Sequence, residues 1–260
     1  MWGKSRLKEI LEEGKLAVGS CIYSNSPALV ELMGYCGLDF CRIDNEHSWL
    51  RDESAESMMR AAAISGIVPL LRIDRDDPNV IRKALEIGAG GILVPHVLNA
   101  GEVEDIVKMA KFPPRGDRGI GSLCFSGRWG TVKATDWIRW SDEEQLVGVM
   151  IEDHRAMDCI DEIMAVDGLD YVLFGASDFS VSIGYPGEGS HPKVIEALRE
   201  TVKAADRHGK WVCKGVGYPW VENARKMVGL GCHMIELGHD ATILRTIWSM
   251  KGEEIRKLMS

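Results

Sequence analysis

Apolar runs typical of buried strands alternate with helical patterns along almost the whole chain. The predicted strands are 16–23, 39–44, 67–73, 90–95, 146–152, 169–175, 210–216 and 232–237. The helical patterns that follow them are 27–36, 53–65, 78–88, 101–111, 154–166, 192–208, 220–229 and 241–258. This alternation predicts a parallel sheet, because a helix carries the chain back to the start of the next strand. Eight repeats in 260 residues favour one α/β domain over residues 1–260, a single (β/α)8 TIM barrel.

An open, doubly wound sheet is the alternative architecture. That fold more often has a glycine-rich phosphate turn after its first strand. Here Ser24-Asn25-Ser26-Pro27 follows the first predicted strand, and the chain contains no GxGxxG motif. The first 13 residues predict an amphipathic helix before the barrel. Residues 112–145 are expected to form one long irregular segment, and loops of that length are usually functional or disordered.

Composition argues against several classes of partner. The net charge is −8, and no basic run interleaved with aromatic residues is present, so we expect neither nucleic acid nor an anionic membrane surface as partner. No apolar stretch reaches the roughly 18 residues of a membrane span, and the N-terminal pattern lacks the apolar core of a signal peptide. Seven cysteines without a CxxC pair predict a reducing, cytoplasmic setting.

Two of the apolar runs end in a carboxylate. Residues 146–151 lead into Glu152, and residues 171–177 lead into Asp178, which is 26 positions after Glu152. The carboxyl ends of parallel strands form the face where barrel active sites lie. Hard cations such as Mg²⁺ prefer oxygen ligands and need only one or two protein carboxylates. The spacing therefore fits a shared divalent cation, and it fits two solvated acids equally well.

The second and third predicted strands end in another set of polar residues. Asp44 ends the second predicted strand, and His47 follows it. Arg72 lies at the end of the third strand, 25 positions after His47. His47 is a candidate general acid or base because histidine titrates near physiological pH, and either Asp44 or Glu86 is expected to orient its ring. Arg72 is a candidate for stabilising charge on a keto oxygen. The alternatives are a structural salt bridge for Arg72 and a solvated helix position for Glu86.

Small residues near two further strand ends are candidates for substrate binding. The backbone N–H groups of Gly175-Ala176-Ser177 can bind a carboxylate, although tight backbone packing explains such a run equally well. Val216 lies between two glycines at the end of the seventh predicted strand, where we expect it to shape the rim of the site. Other histidines near strand ends, for which structural roles are expected, are His96, His154 and His239.

Several segments, taken in chain order, resemble one known family. They are Gly37-Leu38-Asp39-Phe40 with Asp44-Asn45-Glu46-His47, then Leu71-Arg72, 88–95, 113–119, Ile151-Glu152 and 174–180. Each segment is unspecific alone, and the specificity comes from four strand ends that match in order. Together they look like the HpcH/HpaI family of metal-dependent aldolases, over residues 16 to 240.

The resemblance implies a class II pyruvate aldolase that uses a divalent metal. By this resemblance, Glu152 and Asp178 hold Mg²⁺, Mn²⁺ or Co²⁺, and Arg72 stabilises the pyruvate enolate. His47, supported by Asp44, takes part in proton transfer. The predicted reaction is reversible cleavage of a 4-hydroxy-2-oxo acid to pyruvate and an aldehyde.

The resemblance also implies further binding residues and an assembly. Gly175, Ala176 and Ser177 would line the pyruvate carboxylate site. The family is typically a homo-hexamer that exchanges its last helix between subunits, which would give 241–258 a partner outside its own barrel.

The chain departs from the family pattern at three places. Glu86 stands where the family usually has an aspartate, and Gly175-Ala176-Ser177-Asp178 lacks the proline of the common Gly-Pro-x-Asp stretch. Residues 121–145 have no clear match, so the aldehyde partner is not predicted. The alternative functions are oxaloacetate decarboxylation, an acyl-CoA lyase with the same enolate chemistry, and a non-catalytic barrel that binds a 2-oxo acid.

Overall fold

The computed structural model describes residues 3–48, 52–73 and 78–258, and its centre is a closed barrel of eight parallel strands. Each strand pairs with the next along the chain, and the last pairs with the first. This confirms the predicted (β/α)8 barrel. The strands are β1 Ala17–Ile22, β2 Phe40–Asp44, β3 Val68–Arg72, β4 Gly91–Val94, β5 Leu146–Ile151, β6 Tyr171–Phe174, β7 Trp211–Gly215 and β8 Met234–His239.

Helices surround the barrel, and α1 precedes it. They are α1 Arg6–Glu12, α2 Pro27–Tyr35, α3 Asp52–Ser65, α4 Pro78–Glu86, α5 Ala100–Ala110, α6 Ala134–Glu144, α7 Ile160–Ala165, α8 Ala176–Ser182, α9 Pro192–His208, α10 Trp220–Gly229 and α11 Asp240–Arg256. Two 3₁₀ segments cover Arg128–Gly130 and His154–Cys159. No helix in the described ranges is long and apolar enough to span a membrane.

Local sequence signals explain where several helices begin and end. The Ser26 side chain accepts a hydrogen bond from the Leu29 N–H at the start of α2, and Asn99 does the same for Glu102 at the start of α5. Gly209 ends α9 in a left-handed conformation with φ of 64°. These caps satisfy backbone groups that a helix end leaves without an intrahelical partner.

Two apolar layers hold the barrel together. Inside it, side chains such as Phe40, Leu70 and Tyr171 form one cluster, and Leu7 and Leu11 of α1 join this cluster. α1 therefore closes the amino-terminal end of the barrel. The second cluster lies between the outer face of the strands and the helices. Polar side chains concentrate at the opposite, carboxyl end of the strands, where the candidate site lies.

The prediction of one irregular segment over 112–145 is wrong in its second part, because α6 lies within it. Only Trp137 and Ser141 of α6 are buried, so apolar residues do not recur clearly at helical spacing in this part of the sequence. The Trp137 ring packs edge-on against Phe112, with 5.2 Å between the ring centres. The short helix α8 is also absent from the predicted elements, since its residues continue the apolar run of β6.

Candidate active site

Strand register brings Asp44 and Arg72 together at the carboxyl end of the barrel. The two residues are aligned neighbours on β2 and β3, and both are buried. The Arg72 Nε donates to Asp44 Oδ2 at 2.5 Å, and Arg72 Nη1 lies 2.8 Å from Glu46 Oε2. Two carboxylates thus fix the guanidinium in one orientation. The salt bridge considered from the sequence is present, and it lies at the mouth of the barrel.

A second buried arginine supports this arrangement from inside the barrel. Arg42 Nε and Nη2 each donate to a carboxylate oxygen of Glu236 at 2.8 Å, and Nη1 donates to Asp44 Oδ2 at 3.2 Å. Burial alone would lower the pKa of Arg42, but the negative charges of Glu236 and Asp44 outweigh it and raise the pKa above its usual range. The pair Arg42–Glu236 was not recognised from the sequence. The sequence signal for this pair is that both charged residues lie within predicted buried strands.

Asp44 contacts the backbone of His47. The His47 N–H donates to Asp44 Oδ1 at 2.7 Å, while the imidazole is exposed to solvent. The carboxylate of Asp44 is therefore shared between two arginines and the turn that carries His47. It fixes the start of this turn.

Glu152 and Asp178 line one cavity of about 400 Å³. Glu152 directly follows β5 and is buried, whereas Asp178 lies in the first turn of α8 and is exposed. Burial raises the pKa of Glu152, and the neighbouring negative charge of Asp178 raises it further. A Cβ atom at Gly175 would lie 2.8 Å from the Glu152 Cβ, so the glycine makes room for this carboxylate.

His96 is a part of the site that sequence reasoning undervalued. Its backbone N–H donates to Glu152 Oε1 at 2.7 Å. Its ring Nδ1 lies 2.9 Å from the same oxygen, and Nε2 lies 2.8 Å from Glu46 Oε1. Its backbone adopts a φ of 61°, which is uncommon for a residue other than glycine. His96 thus connects Glu46 with Glu152, and its position just after β4 is the sequence signal for it.

The other predicted site residues lie in different surroundings. Gly175 precedes α8, and Ala176 and Ser177 begin it, where N–H groups have no intrahelical acceptor. Val216 is buried just beyond β7, and its N–H donates to the Glu236 carbonyl at 2.8 Å. Glu86 ends α4 at the amino-terminal side of the barrel.

Within one chain the structure does not bring Glu86 to His47. Its carboxylate oxygen Oε1 would lie 2.7 Å from a Cβ at Gly121. Burial raises the pKa of Glu86, although the positive charge of Arg118 opposes this. Glu86 therefore lies beside Gly121, in the segment that follows α5.

The donor set at Glu152 and Asp178 fits a hard divalent cation. The raised pKa of Glu152 comes in part from repulsion between the two carboxylates, and a cation between them would relieve it. Across the described parts of the chain, no group of three or more His, Cys, Asp or Glu side chains is arranged to hold a metal ion. A two-carboxylate site would leave the remaining coordination positions to water or substrate, as is usual for Mg²⁺.

Comparison with known proteins decides the family. The model of the HpcH/HpaI aldolase/citrate lyase family matches residues 19–246. The chain belongs to this family. HpcH/HpaI aldolases are generally dependent on a divalent metal.

Individual relatives cover almost the whole chain. The chain is 30% identical to the 4-hydroxy-2-oxo-heptane-1,7-dioate aldolase of Escherichia coli over 93% of its own length and 91% of that protein. It is 30% identical to the hydroxypyruvate/pyruvate aldolase of Pseudomonas aeruginosa, over 95% of this chain and 92% of the relative. The crystal structure of an HpcH/HpaI aldolase from Desulfitobacterium hafniense DCB-2 superposes with a TM-score of 0.90 at 30% identity, covering 96% of both chains.

Proposed function

We propose that this protein catalyses the reversible aldol cleavage of a 4-hydroxy-2-oxo acid to pyruvate and an aldehyde. The observation that carries the proposal is one cavity lined by both Glu152 and Asp178, connected to Arg72 through His96 and Glu46, in a chain that belongs to an aldolase family. In this proposal Glu152 and Asp178 hold Mg²⁺, Mn²⁺ or Co²⁺. The cation supplies Lewis-acid polarisation of the 2-oxo group.

Arg72 stabilises the negative charge that develops on the keto oxygen during cleavage. Its guanidinium is buried and held by Asp44 and Glu46, so little reorganisation is needed when the charge appears. The backbone N–H groups of Ala176 and Ser177 bind the substrate carboxylate, whereas the Gly175 N–H donates to the Ile151 carbonyl at 2.9 Å. Val216 contributes an apolar wall beside it.

His47 acts as the general base, directly or through one water molecule. It takes the proton of the 4-hydroxyl group, and the oxygen forms the aldehyde carbonyl as the bond between carbons 3 and 4 breaks. The electron pair of that bond passes to carbon 3, which gives the enolate of pyruvate. Protonation of carbon 3 then yields pyruvate, and the reverse sequence is aldol addition.

The same site makes oxaloacetate decarboxylation an expected side activity, since loss of CO₂ produces the same pyruvate enolate.

We further propose a homo-oligomer, a hexamer by family resemblance, in which α11 packs on a neighbouring subunit. Exposed apolar residues on α11 support this, namely Leu244, Ile247, Trp248 and Ile255. All seven cysteines are free thiols, in keeping with the predicted reducing compartment.

The test is pyruvate release from a panel of 4-hydroxy-2-oxo acids with Mg²⁺, Mn²⁺ or Co²⁺, before and after complete chelation with EDTA. We expect cleavage with metal and its loss on chelation, restored by adding metal back. Activity that survives full chelation contradicts the metal role. Calorimetric titration with pyruvate that gives binding but no turnover across the panel would favour a binding protein.

A further inference from the structure

A cavity between α9 and α10 has a basic lining that the proposed reaction does not use. It has a volume of about 590 Å³ and lies on the outer side of β7, and we call it the α9–α10 cavity. Three cationic side chains line it, Arg199 from α9, Lys214 from β7 and Lys226 from α10. Among the described residues that line it, none is Asp or Glu. The lining is therefore positively charged, in a chain with a net charge of −8.

The environment of the Lys214 side chain is the main evidence for an anion site in this cavity. Its neighbour Cys213 points into the barrel interior, so Lys214 points outward between the two helices, and it is largely buried there. The Lys214 Nζ donates to the Gly215 carbonyl at 3.2 Å. An ammonium group carries three donors. Within the described part of the chain, Lys214 makes this one hydrogen bond and no salt bridge, so its charge has no directly paired carboxylate there. Burial lowers the pKa of Lys214, and the nearby Glu236 carboxylate only partly opposes this shift.

The walls of the cavity add donors of the kinds that bind oxyanions. Arg199 uses Nη1 for Glu196 at 3.0 Å, and a guanidinium has further N–H groups in its planar fork. Asn223 Nδ2 donates to the Gly217 carbonyl at 3.1 Å and so connects α10 with the turn after β7. The volume is within the usual range for small-molecule sites.

We propose that the α9–α10 cavity binds the oxyanion group, carboxylate or phosphate, of a small molecule, with Lys214 as its principal counter-charge. This site is separate from the Glu152 and Asp178 pair and does not depend on the proposed aldol chemistry. Its inner edge includes Val216, and a Cβ at Gly189 on its rim would lie 3.6 Å from the Ala176 Cβ. The cavity therefore borders the proposed substrate site. The oxyanion is either the far end of an acidic substrate or a separate small anion.

The first experiment measures anion binding without any turnover. Inorganic phosphate and succinate are titrated by calorimetry into the metal-loaded protein at constant ionic strength. We expect Lys214→Met to weaken binding at least about tenfold, since a hydrogen bond to a charged group is worth more than 1.4 kcal/mol. Arg199→Gln, a change at the partly exposed wall, is expected to weaken it in the same direction and keeps the test valid if Lys214→Met does not fold.

Lys203→Met is the matched control, because Lys203 lies on α9 outside the cavity and pairs with Glu200 at 2.7 Å. Equal anion affinity in all four proteins, or no binding by the wild type, overturns the proposal.

The second experiment separates the two sources of the oxyanion. Cleavage is compared for 4-hydroxy-2-oxo acids that differ only by a terminal carboxylate. If the far end of the substrate occupies the cavity, Lys214→Met raises KM for the acidic substrate alone, and phosphate competes with that substrate. If a separate anion binds, phosphate affinity falls in the variant while both KM values stay unchanged. A protein without aldolase activity would fail only this second experiment, so the two proposals can be rejected independently.

Discussion

Arg72 has its guanidinium held by acids on two sides, Asp44 and Glu46, and this preorganisation sets what its removal should do. We expect Arg72→Ala to lower kcat for cleavage by about 10²–10³, the usual effect of removing a donor that stabilises an oxyanion. Metal affinity, measured by calorimetry with Mn²⁺, should stay unchanged, because Arg72 contacts neither Glu152 nor Asp178.

Arg207→Ala is the control, since Arg207 is an exposed arginine paired with Asp161. Loss of Mn²⁺ binding in Arg72→Ala would mean that the arginine organises the metal site and is not primarily an enolate-stabilising group.

Substitution of Gly175 tests whether the position of the Glu152 carboxylate matters for metal binding. A methyl group at Gly175 would meet the Glu152 Cβ at 2.8 Å and Oε2 at 3.0 Å, so Gly175→Ala must displace this carboxylate. We expect weaker Mn²⁺ affinity and a parallel loss of cleavage. Gly252→Ala in α11 is the control, because its new methyl group meets only the flexible end of Arg256 at 3.5 Å. Unchanged Mn²⁺ affinity in Gly175→Ala would show that Glu152 does not hold the metal.

Glu86 gives a prediction about pH. Because burial raises its pKa, the folded protein holds this proton more tightly than the unfolded chain does. Between the ordinary value of 4.5 and the raised value, folding takes up protons, so stability falls as the pH rises through this window. Glu86→Gln should therefore have a Tm equal to or above that of the wild type at pH 7. Any gain should disappear below about pH 4, where the carboxyl is protonated in both states.

The measurement is a series of thermal unfolding curves between pH 4 and pH 8, with kcat determined alongside. A Tm below that of the wild type at pH 7 would contradict the stability prediction, and a fall in kcat would support the predicted role of Glu86 in catalysis.

At the scale of elements, the pair of Arg42 and Glu236 joins β2 to β8, the two strands that flank β1. Arg42 also contacts Asp44, and Asp44 binds Arg72, so one buried network runs from β8 through β2 to β3 at the site. Removing one charge from such a pair leaves the other buried and unpaired, whereas replacing both with apolar groups is often neutral.

We therefore expect Arg42→Met to lower the free energy of unfolding by about 3–5 kcal/mol. The double variant Arg42→Met/Glu236→Leu should recover most of this loss. Urea unfolding followed by circular dichroism measures both. In the double variant, folded protein with a reduced kcat would show that the network positions Arg72. Additive losses of stability in the two single variants would contradict a coupled pair.

The sequence predicted the strands of this fold better than its smaller helices. Strands such as β5 are continuous apolar runs buried on both faces, and a local pattern of that kind is visible without any tertiary information. α6 presents only two buried residues, and α8 is seven residues long, so neither leaves a clear period. This is why Asp178 was expected at the end of a strand and is found in a short helix.

At the scale of the whole molecule, α11 leaves apolar side chains exposed, Trp248 and Ile255 among them, with exposed fractions of 68% and 64%. Under the proposed exchange of this helix, these residues pack on a neighbouring subunit. We expect Trp248→Glu to reduce the oligomer to smaller species in size-exclusion chromatography with light scattering. Ile64→Glu on α3 is the control, because it also replaces an exposed apolar residue with one negative charge. An unchanged mass for Trp248→Glu would place the interface elsewhere.

By itself, the sequence determined the barrel, its parallel order and which polar residues reach the strand ends, because hydrophobic periodicity and βα spacing are local properties of the chain. The resemblance to known motifs added the family. Only the tertiary structure decided the partners of each side chain. Asp44 engages Arg72, Arg42 and the backbone of His47, and His96 bridges Glu46 and Glu152. Such contacts depend on strand register, on the backbone conformation of each turn and on competition among charged groups from different strands. The spacing of residues along one strand predicts none of these three properties.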